Sequence, residues 1–218
     1  GNPLLDMQIR DGQAVLEKYG LKPNDAVLAS PEQQSIYQYL VENYQVTYVA
    51  GGAAQNTARC AQYALPDGST AYLGSVGRDD LAQQLRAAND REGLQSVYQI
   101  VDGTPTGSCA VVITDHNRSL CTNLGAAEKF DKSHLDSSEA KAAIEAAKFF
   151  YIGGFFLTHG VESALVVAKH AKENNKVRFM ILSDSAICIQ PFGAFYSAIL
   201  QVPGGPGSPV RLSLIHIS

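Results

Sequence analysis

The sequence predicts an α/β fold: a layered α/β/α body with a mainly parallel sheet, carrying a small β-sheet lid. Helix-like and strand-like runs alternate over residues 69–93 and again over residues 138–182, which is typical of a parallel sheet covered by helices. Between them the pattern changes to three strand-like runs joined only by turns, at residues 97–101, 108–114 and 118–123. Consecutive strands with tight turns favour an antiparallel flap over the body.

The elements before residue 65 have recognisable end signals. A helix over residues 14–19 runs into Gly20, and a helix over residues 34–43 is opened by Ser30-Pro31. A strand over residues 45–49 leads into a helix over residues 53–64. That last helix is expected to pack closely on a sheet through one face of small residues, namely Ala53, Thr57, Cys60, Ala61 and Ala64.

The alternation continues beyond the turn at residues 66–68. Residues 69–76 are predicted to form a buried strand, after which Asp79 caps a helix that ends at Gly93. The later elements are a helix over 138–148, a strand over 149–152, a helix over 161–175 and a strand over 176–182.

These assignments give one partial domain over residues 1–201, with lid segments near residues 4–12, 26–52 and 97–124. A flap over the carboxyl ends of parallel strands can close on a substrate and exclude water. Residues 202–209 are rich in Gly and Pro, and residues 210–218 contain no cap or turn signal. Residues 202–218 are therefore interpreted as a tail that does not belong to the fold.

Composition excludes several classes of function. The net charge is −4 and no basic stripe is interleaved with aromatic residues, so nucleic acid is not an expected partner. No apolar run reaches the roughly 18 residues that span a bilayer. No amino-terminal export signal is visible, so a cytosolic protein without disulfides is expected, with the nucleus as a second compartment. A monomer is expected. Scattered histidines and cysteines give no metal site, and Cys109 and Cys121 are interpreted as reduced thiols.

The run Ala50-Gly51-Gly52-Ala53-Ala54-Gln55-Asn56 is the most informative segment. Glycines between a strand and a helix let a ligand approach bare backbone, and the first helical N–H groups point at it. Asn56 can both donate and accept one turn further on. A neutral, hydroxyl-rich ligand such as a sugar suits this corner, although a Gly-Gly pair before a helix also occurs as a plain tight turn. Gly51-Gly52 is also expected to act as a hinge between lid and body.

Together with Gly74-x-Val76-Gly77-x-Asp79, this segment resembles the first signature of the ribokinase-like (PfkB) carbohydrate kinases. Further stretches resemble the eukaryotic adenosine kinases within that family, and the resemblance covers roughly residues 1–200. The stretches are Gly1-Asn2-Pro3-Leu4-Leu5-Asp6, Leu21-Lys22-Pro23-Asn24-Asp25, Asn117-Arg118-Ser119-Leu120 and Tyr151-Ile152-Gly153-Gly154-Phe155-Phe156-Leu157-Thr158.

The resemblance implies transfer of the ATP γ-phosphoryl group to the 5′-hydroxyl of adenosine, with Mg²⁺, to give AMP in purine salvage. It implies that Asp6 accepts hydrogen bonds from the ribose 2′ and 3′ hydroxyls and that Arg118 steadies the transferring phosphate. Phe155 would stack on the adenine. The implied substrate-binding residues are Asn2, Leu4, Asp6, Leu28, Gly51, Gly52, Asn56, Cys109, Leu120, Leu124 and Phe155.

The chain also departs from the family pattern. The second signature, Asp-Thr-x-Gly-Ala-Gly-Asp, which holds the general base, is absent, as is the Asn-x-x-Glu stretch associated with Mg²⁺. The match near residues 183–186 is poor. ATP and Mg²⁺ are therefore expected to bind mainly through residues that this chain lacks, and the chain alone is expected to be inactive. A kinase for a sugar or another nucleoside, and a non-catalytic nucleoside-binding protein, remain alternatives.

Overall fold

A computed structural model describes residues 1–181, and these divide into two compact units. One unit comprises residues 2–129, and the other comprises residues 130–181 together with Gly1. The predicted tail over residues 202–218, the stretch at 183–186 and Cys188 lie outside the described residues. Within residues 1–181, no helix combines the length and the apolar character needed to cross a bilayer.

The first unit contains seven strands and four helices among its described elements. In chain order they are β1 (Leu4–Arg10), α1 (Gln13–Tyr19), β2 (Ala26–Leu28), α2 (Ile36–Asn43), β3 (Thr47–Gly51), α3 (Ala53–Tyr63), β4 (Ala71–Val76), α4 (Asp80–Arg91), β5 (Gln95–Ile100), β6 (Ser108–Thr114) and β7 (Asn117–Asn123). Short 3-10 turns cover Pro31–Gln33 and Gly125–Lys129.

Five of these strands form one mixed sheet in the order β2-β7-β6-β1-β3. Strand β1 runs parallel to β6 and antiparallel to β3, while β6 and β7 form a hairpin closed by Asp115-His116. Asp115 has φ of 51°, which a two-residue hairpin turn favours. Buried Ile9 and Val112 on one face pack against Leu16 of α1 and Leu40 of α2.

The strand predicted for the lid over residues 97–101 belongs elsewhere, and that part of the prediction is wrong. Strand β5 pairs in parallel with β4, and the twelve residues of α4 make the crossover between them. A parallel pair needs such a crossover, so β4-α4-β5 is a βαβ unit. Val97 and Tyr98 are both buried, and Tyr98 belongs to the same core cluster as Leu85 of α4.

The end signals of several helices are confirmed. Helix α1 ends at Gly20, which has a left-handed conformation with φ of 64°. The Asp79 side chain caps α4 by accepting a hydrogen bond from the Ala82 N–H at 2.9 Å. Gly93 follows α4 with φ of 71°, where a residue with a Cβ would be strained.

The prediction for the packing face of α3 is wrong. Ala53, Thr57 and Cys60 are exposed, whereas Gln55 and Gln62 are fully buried. Both amides can be buried because they are hydrogen-bonded: Gln55 Nε2 donates to the Gly51 carbonyl, and Gln62 Nε2 donates to the Pro66 carbonyl. A row of small residues therefore does not identify the buried face of a helix when long polar side chains on another face have hydrogen-bond partners in the interior.

The second unit begins with a 3-10 turn at Lys132–Asp136 and a helix capped by the Ser137 hydroxyl. Its strands are parallel and are joined through a helix, as the alternating pattern predicts. The elements are α5 (Ser138–Ala146), β8 (Phe149–Gly153), α6 (Val161–Glu173) and β9 (Val177–Ile181).

Candidate functional site

The strand register brings several of the predicted residues onto one face of the five-stranded sheet. Asp6 lies opposite Val49 on one side and Cys109 on the other, Cys109 lies opposite Thr122, and Thr122 lies opposite Leu28. Because directly paired residues share a face, these five side chains form one row across all five strands. We call this side of the sheet the site face.

Two further rows continue the site face, because side chains two residues apart on a strand point the same way. Leu120 lies between Val111 and Ala26 in the next row, and Arg118 lies opposite Ile113 in the row after it. The Arg118 Nη2 donates to Asp6 Oδ2 at 3.0 Å, which confirms that the two residues share the face.

Asp6 and its ion-pair partner Arg118 differ in their exposure to solvent. The Asp6 side chain is only 13% exposed, while that of Arg118 is 53% exposed. Burial raises the pKa of the Asp6 carboxyl, and the charge and hydrogen bond of Arg118 oppose that rise without cancelling it. An ionised carboxylate in this position has a strong need for hydrogen-bond donors.

The diglycine corner lies directly beside Asp6. Gly51 is the last residue of β3 and pairs with Leu4, and a Cβ built on Gly51 would collide with the Asp6 carboxylate. Gly52 has φ of 88°, and a Cβ there would collide with the Asn2 carbonyl oxygen. The two glycines are thus required for different reasons: Gly51 for the space of the Asp6 side chain, Gly52 for its backbone conformation and its closeness to Asn2.

Asn56 lies in the first turn of α3, and its side chain is exposed beside the corner. Its backbone N–H donates to the Gly52 carbonyl at 2.9 Å, and its Oδ1 lies 3.4 Å from Arg59 Nη1. Asn2, Asp6, both glycines and Asn56 therefore belong to one neighbourhood, as the sequence predicts. Gln55 also belongs to this neighbourhood and was missed; its only signal is a spacing of four residues from Gly51.

Leu4 and Leu124 approach each other at Gly107. A Cβ on Gly107 would lie 2.7 Å from Leu4 Cδ2 and 2.6 Å from the Leu124 carbonyl oxygen, so only glycine fits between them. On the site face, Leu28 is 59% exposed and Leu120 is partly buried. Large apolar side chains exposed beside a sheltered carboxylate are suited to a ligand with one flat apolar part and one hydroxylated part.

Cys109 contributes an apolar surface rather than a reactive group. Its thiol is buried and accepts a hydrogen bond from the Thr122 hydroxyl at 3.2 Å. Burial raises the pKa of this thiol to about 12, so it is neutral at physiological pH. Cys121 lies opposite Ala110, on the other face of the sheet, so the two thiols do not face each other.

Phe155 lies in the second unit, in the 3-10 turn Gly154–Thr158 that follows β8, and its side chain is 36% exposed. Its role as a stacking partner stays a prediction. Across the part of the chain that the structure describes, no group of three or more His, Cys, Asp or Glu side chains is placed to hold a metal ion.

The second half of the signature segment has a structural explanation that the sequence did not reveal. Asp79 Oδ1 accepts from the Thr106 hydroxyl at 2.6 Å, Asp79 Oδ2 accepts from the Thr106 N–H at 2.7 Å, and the Gly77 N–H donates to the Thr106 hydroxyl at 2.9 Å. Burial opposes ionisation of Asp79, but these hydrogen bonds outweigh it and lower the pKa of the carboxyl. The Gly77–Asp79 segment thus fixes the backbone that leads into β6 of the site face.

Comparison with known proteins identifies the family to which this chain belongs. Residues 13–200 match the family model described as pfkB family carbohydrate kinase, and the chain belongs to that family. Among curated proteins, an adenosine kinase of Schizophyllum commune is 52% identical over 202 residues, which make up 93% of this chain and 58% of that protein. An adenosine kinase of Schizosaccharomyces pombe is 50% identical over 184 residues, which make up 84% of this chain and 53% of that protein.

Solved structures give the same result. The crystal structure of Anopheles gambiae adenosine kinase in complex with P1,P4-di(adenosine-5) tetraphosphate aligns with a TM-score of 0.85 at 40% identity, covering 91% of this chain and 59% of that one. The adenosine kinase from Schistosoma mansoni in complex with adenosine aligns with a TM-score of 0.84 at 29% identity, covering 92% and 58%. The chain therefore has the ribokinase-like fold and spans a little over half the length of these relatives.

Proposed function

We propose that the protein is an adenosine kinase, which transfers the γ-phosphoryl group of ATP to the 5′-hydroxyl of adenosine and forms AMP. The similarity to proteins named adenosine kinase, at 50–52% identity for the two fungal relatives, supports this substrate and reaction. The arrangement of the site face supports it independently, because the polar and apolar halves of a nucleoside find matching surfaces there.

The observation that carries the proposal is the position of the Asp6 carboxylate beside Gly51. This carboxylate is sheltered from water, and the missing Cβ of Gly51 leaves the space that it occupies. Two carboxylate oxygens can accept one hydrogen bond each from the 2′ and 3′ hydroxyls of a ribose. Leu28 and Leu120 on the same face supply apolar contact for a purine.

In this proposal the Arg118 side chain adopts two arrangements, one in the free protein and one with the nucleoside bound. In the free protein its guanidinium pairs with Asp6, and when a ribose takes over the Asp6 oxygens the guanidinium is released. Its side chain is half exposed, so this change requires no repacking of a buried group. The released cation is then available to stabilise negative charge on a phosphoryl group near the 5′-hydroxyl.

The described residues do not fit a complete ATP–Mg²⁺ site, because they contain no cluster of metal ligands. ATP–Mg²⁺, when bound, would supply the phosphoryl group to be transferred. The part of the reaction that falls to these residues is to bind the nucleoside and orient its ribose. We further propose that the protein is a monomer in the cytosol. Light scattering after gel filtration would measure its mass and so test the monomeric state.

Calorimetric titration of the full-length protein with adenosine tests the proposal. Adenosine is expected to bind, 2′-deoxyadenosine and 3′-deoxyadenosine to bind at least tenfold more weakly, and ribose or fructose not to compete. Each lost hydrogen bond to a charged partner costs about 1.5–3 kcal/mol, which is a factor of ten or more. Equal binding of the deoxy analogues, or competition by a free sugar at similar concentration, would contradict the proposal.

A further inference from the structure

A buried series of hydrogen bonds connects the diglycine corner to β5 and α4. Gln55 Nε2 donates to the Gly51 carbonyl at 3.1 Å, and the Tyr98 hydroxyl donates to Gln55 Oε1. Asn89 Nδ2 in turn donates to the Tyr98 hydroxyl at 2.9 Å and to the Ser96 hydroxyl at 2.8 Å. Gln55, Tyr98 and Asn89 are all buried.

The direction of this series is set by its first member. A backbone carbonyl can only accept, so Gln55 must present its NH₂ group to Gly51 and its oxygen to Tyr98. Tyr98 must then donate its only hydroxyl proton to Gln55 and accept from Asn89. Burial raises the pKa of Tyr98 to about 12, so the hydroxyl keeps the proton that the series needs.

A second side chain of α3 holds the preceding residue of β3. Arg59 Nη1 donates to the Ala50 carbonyl at 3.1 Å, while Arg59 Nε is paired with Glu92 Oε2 at 2.8 Å. Consecutive carbonyls at the end of β3 are therefore held by side chains from the first two turns of α3. Glycine can adopt more backbone conformations than other residues, so these donors restrict the conformations open to the diglycine corner.

The position of the Gly51 backbone matters because of the Asp6 carboxylate. The collision that a Cβ on Gly51 would cause shows that the backbone and the carboxylate are in direct contact. A shift of Gly51 towards β1 would displace the carboxylate, and a shift away from it would open the site to water. The clearance between them is set on one side by the pairing of Leu4 with Gly51 and on the other by Gln55.

We propose that Gln55, oriented by Tyr98, is a positioning residue for the nucleoside site: it fixes the Gly51 carbonyl and thereby the placement of the Asp6 carboxylate for the ribose diol. This inference rests on the proposed function. It also goes beyond it, because Gln55 touches no substrate and acts through the backbone of the corner.

The test compares two buried glutamines of the same helix. Gln55→Met removes the bond to Gly51. Gln62→Met removes an equally buried amide seven residues away, whose partners Pro66 and Thr70 lie beyond the carboxyl-terminal end of α3. Both variants are expected to lose stability. Only Gln55→Met is expected to bind adenosine more weakly, by about tenfold in calorimetry on the full-length protein, while Gln62→Met stays within about twofold.

A second comparison separates positioning from general loosening. Tyr98→Phe keeps the Gln55 donor but removes its orienting partner, which is also an acceptor for Asn89. A smaller loss of affinity, about threefold, is therefore expected. In an Asp6→Asn background, Gln55→Met is expected to add almost nothing, because both changes act on the same contact. Unchanged affinity in Gln55→Met, or a full tenfold loss added to that of Asp6→Asn, would overturn the inference. Failure of the unchanged protein to bind adenosine would instead overturn the proposed function.

Discussion

Arg118 and Asp6 form an ion pair across the site face, with Arg118 Nη2 3.0 Å from Asp6 Oδ2. The pair joins a half-exposed guanidinium to a sheltered carboxylate, so its two members differ in how easily they move. Any ligand that binds the Asp6 oxygens must compete with Arg118. In the free protein Arg118 therefore supplies a hydrogen-bond donor to a carboxylate that would otherwise be buried without a full set of partners.

Asp6→Asn is expected to weaken adenosine binding about 100-fold without destabilising the fold, since two hydrogen bonds lose their charged acceptor. The pKa of Asp6 is raised above its ordinary value of 3.8 in the folded protein. Its contribution to stability is therefore fully present below that ordinary value and is lost as the pH rises through the raised value. At pH 7 the ionised carboxylate is a cost, which asparagine removes.

Thermal unfolding between pH 3 and pH 8 measures this effect. Asp6→Asn is expected to unfold at the same temperature as the unchanged protein or a higher one at pH 7, and to show a smaller gain on acidification. Glu42→Gln, on the exposed face of α2, is the control for loss of a single negative charge. A clear drop in the unfolding temperature of Asp6→Asn at pH 7 would show that the pair with Arg118 stabilises the fold.

Gly51→Ala and Gly52→Ala are both expected to damage the diglycine corner, but for different reasons. Gly51→Ala drives the Asp6 carboxylate from its position and should abolish adenosine binding. Gly52→Ala adds a backbone strain of about 1–3 kcal/mol to its contact with the Asn2 carbonyl. Gly68→Ala is the matched control for strain alone, because Gly68 has φ of 71° and nothing lies within 4 Å of its Cβ position. Chemical denaturation and calorimetry on the three variants separate the effects.

If Gly51→Ala bound adenosine as the unchanged protein does, the carboxylate would have room that the structure does not show. If Gly68→Ala lost as much stability as Gly52→Ala, the strain at positive φ would account for both, and the contact with Asn2 would carry no energy of its own.

Asp79→Ala is expected to reduce stability by about 2–3 kcal/mol, because it removes a helix cap and two hydrogen bonds to Thr106. The pKa of Asp79 is lowered in the folded protein, so its contribution is present above the ordinary value of 3.8 and is lost as the pH falls through the lowered value. Urea denaturation at pH 7 and at pH 3 should show the difference from the unchanged protein shrinking at the lower pH. An equal difference at both values would contradict this role for the carboxylate.

The sequence predicts those parts of the fold that depend on local chemistry. Three local signals are confirmed: Gly20 ends α1, Asp79 caps α4, and Asp115-His116 closes the hairpin of β6 and β7. The placement of β5 could not be predicted in this way, because a strand-like run does not say which neighbour it pairs with. The choice between β4 and β6 depends on the α4 crossover and on burial of Val97 and Tyr98, which are tertiary effects.

The residues of the candidate site were proposed from the sequence, whereas their geometry was not. The resemblance supplied Asp6, the glycines and Arg118, and the register of the strands brings them onto one face. Gln55 was overlooked because a glutamine in a helix is ordinarily solvated, and only its buried partners reveal its role. The ion pair between Asp6 and Arg118 joins residues 112 positions apart, and no local pattern indicates it.

Thiol alkylation offers a test of the burial of Cys109 on the site face. Cys60 is exposed on α3, whereas Cys109 is buried and burial raises the pKa of its thiol to about 12. The thiolate is the reactive form, so iodoacetamide at pH 8 should modify Cys60 at least 100-fold faster than Cys109. Replacing Cys188 by serine removes the thiol outside the described residues, and labelling in guanidinium chloride shows that every remaining thiol can react. Peptide mass spectrometry gives the two rates. Labelling of Cys109 in the native protein at a rate close to that of Cys60 would mean that the Cys109 side chain is open to solvent, contrary to its burial in the structure.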